Sequence, residues 1–307
     1  MFKKFGIVGV LALVVFWCLM MTNSVKVSVI VPVYNGEKFL GECLESLKNQ
    51  TLKEIEFIVI NDGSSDKTYE IMEKYRNNDK RFKIYSKENE GVGKTRNMGL
   101  KIAKGEYVGF VDADDYVSKN YFEELYKNAK KWDADVSANG RFLKFRDLRF
   151  ETHFSFAEDF IRKGQYFADD ISYLVGDIGQ QWDKIYKRSF LEKHNIKCYE
   201  KKLWFEDVWF SSVVAMHAKR IAFSDSGLYY YRFNPEGITQ TSHMNKEIFD
   251  KGLELYGGLI EEVENQDFDK HKKQNLVKIL DEKIMAYKRR FNYGDVLYLV
   301  KKGVFLK

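Results

Sequence analysis

Proline and cysteine are scarce in this chain of 307 residues, and each scarcity excludes a class of protein. With only two prolines, Pro32 and Pro235, the chain has no proline-rich linker. The three cysteines, Cys18, Cys43 and Cys198, are odd in number, widely spaced and contain no C-x-x-C pair. This pattern argues against a disulfide framework and a cysteine-rich zinc site, and it favours a reducing compartment.

Histidine pairs and a strong excess of one charge are also absent. None of the five histidines forms a pair at H-x-x-x-H spacing, so we expect none of them to bind a metal. The formal net charge of +5 is mild for this length and does not require a nucleic-acid partner. Aromatic residues, by contrast, make up 16% of the chain, which indicates a folded protein rather than a disordered one.

One long apolar run is present, at residues 5–21. As a helix it would span ~26 Å, the lower limit for crossing a bilayer. We interpret residues 1–24 as a membrane anchor, in which Lys3 and Lys4 precede the apolar run. A cleaved signal peptide and a translation start at Met20 or Met21 are the alternatives.

From Val27 onward, strand patterns alternate with helix patterns. Apolar runs predict four strands, at 27–31, 55–60, 82–85 and 107–111. Helical spacing predicts the intervening helices, at 39–47, 66–76, 93–103 and 119–132. This alternation predicts a parallel α/β sheet with right-handed crossovers. It weakens after Asn139, where we predict further helices at 190–195, 207–217, 246–264 and 270–290 and strands at 221–224 and 228–233.

The triplet Gly93-Lys94-Thr95 resembles the end of a P-loop, since it follows a strand and opens a helix. A P-loop needs a glycine five residues before the second glycine, so that backbone N–H groups can surround a phosphate. That position is Glu88, whose carboxylate would repel a phosphate. We therefore interpret the triplet as a tight turn at a helix start, and a P-loop NTPase is the disfavoured alternative.

Carboxylates follow two of the predicted strands. Asp62 comes after the second strand, and Asp112, Asp114 and Asp115 come after the fourth. Ligands of open parallel sheets bind at the carboxyl ends of strands. Hard oxygen ligands at this spacing suit Mg²⁺ or Mn²⁺ bridging a diphosphate. An ordinary turn at Asp62 and a solvated acidic turn at the later cluster are the alternatives.

A further pair of carboxylates, Glu206 and Asp207, lies among aromatic residues in the run WFEDVWF. Carboxylates are costly to bury among aromatics unless they have a role. Burial raises the pKa of a carboxyl group and suits it to act as a general base. The alternative is a helix N-cap at Asp207.

Taken in order, these motifs resemble the family 2 glycosyltransferases of the GT-A fold. The resemblance is carried first by VSVIVPVYNGEKFL, EIEFIVINDGSSDKT and GVGKTRNMGLKIAKGEYVGFVDADDY, within residues 27–116. The looser matches WDKIYKRSF, FEDVWF and YYYRFNPEGIT extend it to about residue 242. The last 65 or so residues are not covered.

The resemblance implies the fold and its division. The expected fold is α/β of the GT-A type, a Rossmann-like nucleotide-binding α/β/α sandwich with a mostly parallel sheet and an α-rich C-terminal extension. The glycosyltransferase domain would span 25–242, with a nucleotide-sugar half at 25–138 and an acceptor half at 139–242. Residues 243–307 would form the helical, basic extension.

The resemblance also implies an inverting enzyme that moves a sugar from a nucleotide-diphosphate sugar, expected to be a UDP-sugar, to an acceptor hydroxyl. The nucleotide-sugar-binding residues it implies are Pro32, Tyr34, Asn35, Glu37, Asp62, Arg96, Asp112 and Ala113. The implied metal ligands for Mg²⁺ or Mn²⁺ are Asp112 and Asp114. The implied base is Asp207, with Glu206 supporting it.

The acceptor side is less defined. Trp182 and Trp204 are candidates for acceptor binding, although simple core packing is the alternative for such aromatics. Asn234 and Asp183 depart from the family pattern, in which His and Asn are common at these places, and this puts a metal or phosphate contact at Asn234 in doubt.

We expect a membrane-associated enzyme of polysaccharide or glycolipid assembly, with a saccharide or lipid-linked acceptor, no nucleic acid, and a catalytic domain in the cytoplasm. The basic segment 270–290 could lie on anionic headgroups, or it could be a solvated helix face. The charges of Lys3 and Lys4 conflict with a cytoplasmic domain. They favour an N-terminus in the cytoplasm, and an anchor that crosses the membrane would then place the domain on the other side. The rival from another class is a catalytically inactive nucleotide-sugar-binding protein.

Overall fold

The computed structural model describes residues 24–139, 142–146, 149–153, 160–163, 180–201, 206–224, 226–237 and 246–290. The proposed anchor falls outside these residues, except for Ser24. In the described part of the chain, no helix is both long and apolar enough to cross a bilayer.

The first half follows the predicted alternation of strands and helices. Its elements are β1 (Val27–Val33), α1 (Leu40–Lys48), β2 (Ile55–Asp62), α2 (Thr68–Asn78), β3 (Phe82–Lys87), α3 (Val92–Ile102) and β4 (Tyr107–Phe110). Every residue of β1, β2 and β4 is buried, as expected for strands covered on both faces. The four predicted strands and their helices are therefore confirmed, with β1, β2 and β3 each two residues longer than their apolar runs.

The second half is less regular. Its strands are β5 (Tyr116–Val117), β6 (Val136–Asn139), β7 (Phe142–Arg146), β8 (Arg149–His153), β9 (Phe160–Lys163), β10 (Lys184–Lys187), β11 (Arg220–Ser224) and β12 (Tyr229–Arg232). Its helices are α4 (Tyr121–Lys131), α5 (Arg188–Lys193), α6 (Glu206–His217), α7 (Lys246–Asn265) and α8 (Lys270–Arg290). The predicted helices are confirmed, whereas β5, β6, β10 and the strands between 142 and 163 had no clear sequence period.

The strands of the described residues form two sheets. The larger has eight strands in the order β3-β2-β1-β4-β10-β6-β11-β9. Strands β1 to β4 are parallel, and β10 runs antiparallel to both β4 and β6. The start of β10 therefore lies beside the end of β4. The smaller sheet has the order β5-β12-β7-β8 and places β12 against β5, directly after the acidic turn.

Two cores cover the faces of the larger sheet. Alternate residues of β1 point to opposite faces, so that Val29 and Val31 join one core while Ile30 joins the other. The first core contains apolar residues of α1 and α4, and the second contains those of α5 to α8. The predicted α/β/α sandwich is thus confirmed, and α7 and α8 pack onto it through buried leucines such as Leu259 and Leu280.

The glycine of the P-loop-like triplet has a packing role that is testable. A Cβ on Gly93 would lie 1.9 Å from the carbonyl oxygen of Tyr199, whereas one on Gly41 in α1 would meet nothing within 4 Å. We expect Gly93→Ala to lower the free energy of unfolding by about 1–3 kcal/mol through overpacking. Gly41→Ala should instead raise it by up to ~1 kcal/mol, through helix propensity. Urea unfolding measures both, and equal stabilities would contradict the close approach.

Candidate active site

The acidic turn after β4 is held in place by a buried carboxylate. Asp115 is almost fully buried, accepts a hydrogen bond from the Tyr229 hydroxyl at 2.8 Å and accepts another from the backbone N–H of Arg232 at 2.8 Å. The Tyr229 hydroxyl also accepts a bond from the backbone N–H of Asp112 at 3.2 Å. Burial, with the charges of Asp114 and Asp112, raises the pKa of Asp115 well above its usual range. Asp115 therefore anchors the turn, whereas Asp112 keeps a side chain that is 29% exposed.

Asp114 is held from the other side by the segment after β12. The side-chain amide of Asn234 donates to Asp114 Oδ2 at 3.0 Å, and its oxygen accepts from the backbone N–H of Glu236 at 3.1 Å. The second contact fixes which end of the amide faces Asp114. Burial and the nearby charge of Asp112 raise the pKa of Asp114. Asn234, which departs from the family pattern, thus contacts a predicted metal ligand directly.

Arg232 braces the same turn. Its Nε donates to the carbonyl oxygen of Asp114 at 2.9 Å, and its guanidinium pairs with Glu42. The guanidinium also lies over the rings of Phe39 and Tyr116, 5.0 and 5.2 Å from their centroids. Neither Tyr229 nor Arg232 was predicted to contact the acidic turn.

Arg96 joins the acidic turn to the start of α6. It is only 4% exposed, and its two terminal nitrogens bond different carboxylates. Nη2 donates to Asp112 Oδ1 and Nη1 donates to Glu206 Oε1, each at 2.8 Å. Although burial opposes it, the attraction of these carboxylates raises the pKa of Arg96 above its usual value. Arg96, which is among the predicted nucleotide-sugar-binding residues, therefore bonds two acidic groups of the site.

Asp207 occupies the first turn of α6 beside Glu206. Its Oδ1 accepts a hydrogen bond from the backbone N–H of Val208 at 2.9 Å. Burial, followed by repulsion from Glu206, raises the pKa of Asp207 to about 7, although Arg96 opposes the shift. A carboxyl group with this pKa can exchange a proton near neutral pH, as a general base must.

Asp62 is engaged by the loop that follows β3. Its Oδ1 accepts from Lys87 Nζ at 2.6 Å and from the backbone N–H of Glu90 at 3.0 Å, and its Oδ2 accepts from the backbone N–H of Gly91 at 2.9 Å. Burial would raise the pKa of Asp62, but these bonds outweigh burial and lower it. The backbone amides that a P-loop would aim at a phosphate here face a carboxylate instead.

The loop after β1 is bonded to the loop after β2. The backbone N–H of Ser65 donates to Asn35 Oδ1 at 3.0 Å, and that of Lys67 donates to Glu37 Oε2 at 3.0 Å. Asn35 adopts a φ of 50°, which an asparagine tolerates better than most residues. Tyr34 lies between buried Pro32 and the bonded Asn35 and is 56% exposed. It follows the carboxyl end of β1, where ligands of such sheets bind.

The remaining predicted residues lie in packing positions or outside the described residues. Trp182 is 7% exposed and stacks on Tyr229 and Tyr231, with centroids 4.3 and 5.8 Å away. Ala113 packs against the core on the α1 side. Trp204 lies outside the described residues. Asp183, directly before β10, forms a buried ion pair with Lys184.

The acidic turn fits part of a metal site. In the described residues, no group of three or more His, Cys, Asp or Glu side chains is placed to hold a metal together. Asp112 and Asp114 nevertheless present hard oxygen donors at one edge, with one oxygen of each held by Arg96 or Asn234. Mg²⁺ is commonly bound by one or two carboxylates together with water and substrate phosphates, so a pair is a suitable donor set.

Comparison with known proteins places this geometry in a family. Residues 28–194 match the model described as Glycosyl transferase family 2. The Bacillus subtilis glycosyltransferase EpsH is 33% identical over 232 residues, covering 75% of this chain and 67% of EpsH. EpsJ from the same organism is 35% identical over 216 residues, covering 70% of this chain and 63% of EpsJ.

A solved structure extends the match to most of the chain. The crystal structure of Staphylococcus aureus TarS 1–349 in complex with UDP-GlcNAc superposes with a TM-score of 0.70 at 30% identity, covering 83% of this chain and 71% of that one. The chain therefore belongs to glycosyltransferase family 2 and has the GT-A fold.

Proposed function

We propose that this protein transfers a sugar, with inversion, from a UDP-sugar to a hydroxyl of a saccharide or lipid-linked saccharide in polysaccharide or glycolipid assembly. The observation that carries the proposal is the ion-paired arrangement of Asp112, Arg96 and Glu206, which brings the acidic turn next to the base candidate Asp207. Activation of the donor diphosphate needs the acidic turn, and removal of the acceptor proton needs the base. Both must therefore lie at the same end of the strands.

The donor is proposed from the relatives and from the β1 loop. TarS, a poly(ribitol-phosphate) N-acetylglucosaminyltransferase that is 33% identical over 266 residues, has been crystallised with UDP-GlcNAc and with UDP. The exposed ring of Tyr34 offers a face on which a uracil base can stack. Asp62 holds the neighbouring loop, which would form the far wall of the nucleoside pocket.

Asp112 and Asp114 are proposed to hold Mg²⁺ or Mn²⁺ together with the donor diphosphate. When bound, such an ion acts as a Lewis acid that stabilises the charge developing on the departing diphosphate. Burial, followed by the charge of Asp112, raises the pKa of Asp114, and a bound cation would offset this repulsion between the two carboxylates. Tyr229, Arg232 and Asn234 keep the two carboxylates in place before the donor arrives.

Asp207 is proposed to take the proton from the acceptor hydroxyl. Attack on the anomeric carbon from the face opposite the leaving diphosphate forms the new C–O bond as the old one breaks, and the configuration inverts. The acceptor proton moves to the Asp207 carboxylate, and the electron pair of the old bond leaves with UDP. One base and no enzyme nucleophile suffice for this step.

The pH dependence of the reaction follows from the pKa of Asp207. Because the base must be ionised, kcat/KM should rise as the pH increases through about 7 and level off above it. Initial rates of UDP release between pH 5.5 and 9 measure this profile. A rate that falls over the same interval would contradict a carboxylate base.

The basic helix α8 is proposed to face a membrane surface that carries the acceptor. Residues 270–290 contain eight lysines and arginines and two acidic residues. The buried side chains of Leu276, Leu280 and Ile284 hold one stripe of α8 against the protein, and Lys270 and Lys278 remain exposed. Such a face attracts anionic headgroups at low ionic strength.

A donor screen tests the proposed function. The protein is incubated with a panel of nucleotide sugars, Mn²⁺ and membrane or polysaccharide extracts, and nucleotide release is measured. We expect release from one or a few UDP-sugars that increases when acceptor is added. Saturable UDP-sugar binding without release under any of these conditions would instead identify a nucleotide-sugar-binding protein that does not catalyse transfer.

A further inference from the structure

Arg96 makes contacts that the transfer reaction does not by itself explain. It lies in α3, and its two terminal nitrogens reach carboxylates that are 16 and 110 residues away in the chain. A buried guanidinium is stable only if its partners repay the loss of hydration. The pair Asp112 and Glu206 provides that compensation, so the three side chains form one charged unit.

The segment that leads to α6 is fixed to α3 at two further points. The side-chain amide of Asn97 donates to the carbonyl oxygen of Cys198 at 2.9 Å, and its oxygen accepts from the backbone N–H of Cys198 at 2.8 Å. Gly93 leaves room for the backbone of Tyr199 one turn earlier. Helix α3 therefore holds the approach to Glu206 along one face.

We propose that Arg96 is a positioning residue that sets the base turn at Glu206 and Asp207 relative to the acidic turn at Asp112. This proposal rests on the proposed function, since it concerns the placement of the base against the donor. Arg96 acts through the two carboxylates and need not touch the substrate.

The fork of the guanidinium is what makes this role possible. Its terminal nitrogens point in different directions and each bonds its own carboxylate, whereas a lysine ammonium is one compact charge on a flexible stem. The third nitrogen, Nε, is buried and has no hydrogen-bond partner among the residues that the structure describes. The orientation of the group therefore depends on the two bonds to Asp112 and Glu206, and losing either would free it to rotate.

Kinetics of four variants test the proposal: Arg96→Gln, Arg96→Lys, Glu206→Gln and the double variant Arg96→Gln/Glu206→Gln. We expect Arg96→Gln to lower kcat by about 100-fold, the order of loss for a displacement near 1 Å, with the donor KM changed less than about threefold. Arg96→Lys should recover little of this loss despite its charge. Because both residues act through one unit, the double variant should be about as slow as Arg96→Gln alone.

A second readout separates positioning from damage to the donor site. Removing the guanidinium frees an oxygen of Asp112 and leaves the turn more negative, so Mn²⁺ should bind Arg96→Gln as tightly as the parent protein or more tightly. Electron paramagnetic resonance titration measures this affinity without turnover. Arg81→Gln is the matched control. Arg81 is also ion-paired with an aspartate, Asp79, but it directly precedes β3 and so lies at the amino end of the parallel strands, away from the site.

Three results would overturn the proposal: full activity in Arg96→Lys, a large rise in donor KM with unchanged kcat in Arg96→Gln, or weakened Mn²⁺ binding in that variant. If Arg96→Gln does not fold, Arg96→Lys and Glu206→Gln still decide the question, and both should lower kcat at unchanged donor KM. Failure of the proposed function is distinguishable, since the parent protein would then release no nucleotide from any UDP-sugar, whereas failure of the positioning role leaves the parent active and Asp207→Asn inactive.

Discussion

Asp207→Asn is expected to lower kcat by about 10²–10⁴-fold, the usual contribution of a positioned general base. The amide keeps the shape of the side chain and can still accept the hydrogen bond from the Val208 N–H. It cannot take the acceptor proton, so the donor should bind normally while transfer nearly stops. UDP release at saturating donor and acceptor, with donor affinity from isothermal titration, measures the two effects separately.

The variant should not lose stability. The folded protein raises the pKa of Asp207 to about 7, so it favours the protonated form. The stability this contributes is complete below the ordinary carboxyl pKa and is lost as the pH rises through about 7. A neutral amide avoids that loss, and the melting temperature of Asp207→Asn at pH 8 should equal or exceed that of the parent.

The matched control for this variant is Asp133→Asn, where Asp133 pairs with Lys187 and Arg220 before β6, away from the carboxyl ends of the parallel strands. It makes the same chemical change away from the site, and its kcat should match that of the parent protein. Parental kcat in Asp207→Asn as well would exclude this carboxylate as the base.

Asp114→Asn is expected to cause the second large loss, of about 10²–10⁴ in kcat/KM, the range that several kcal/mol of lost charge stabilisation represents. The variant removes one charged oxygen donor but leaves Arg96 paired with Asp112. Mn²⁺ affinity should fall with the rate, and activity of the parent protein should be lost in EDTA and restored by Mg²⁺ or Mn²⁺.

Asp133→Asn is the control for the metal-site variant. Asp133 pairs with Lys187 and Arg220 before β6, at the end of the strands opposite the acidic turn. Its φ of 44° suits an asparagine. Its Mn²⁺ affinity and rate should be those of the parent. Undiminished Mn²⁺ binding in Asp114→Asn would remove this carboxylate from the proposed metal site.

The first half of the fold could be predicted because three of its four strands, β1, β2 and β4, are buried on both faces. A strand such as β1 then reads as an unbroken apolar run, and the helix spacing that follows leaves few alternatives. The second half has short antiparallel strands such as β10, whose place between β4 and β6 is set by distant partners. No local period in the sequence encodes such pairing.

The site divides in the same way. Asp112, Asp114 and Asp207 could be proposed because acidic groups after a buried strand or among aromatics are unusual. The bonds of Tyr229 and Asn234 to the acidic turn join residues 114 to 120 positions apart, and nothing in either local sequence indicates them. The partners of Asp62 are largely backbone N–H groups. Nearly all residue types have such a donor, so the sequence does not indicate which of them bond Asp62.

The anomeric configuration of the product tests the central claim most directly. An α-linked UDP-sugar identified by the donor screen is incubated with acceptor, or with water alone as a slow acceptor, and the first sugar product is observed by proton NMR before mutarotation. With Asp207 acting as the base on the face opposite UDP, the product should be the β-anomer. A product that retains the α configuration would contradict the account, because retention requires a different geometry.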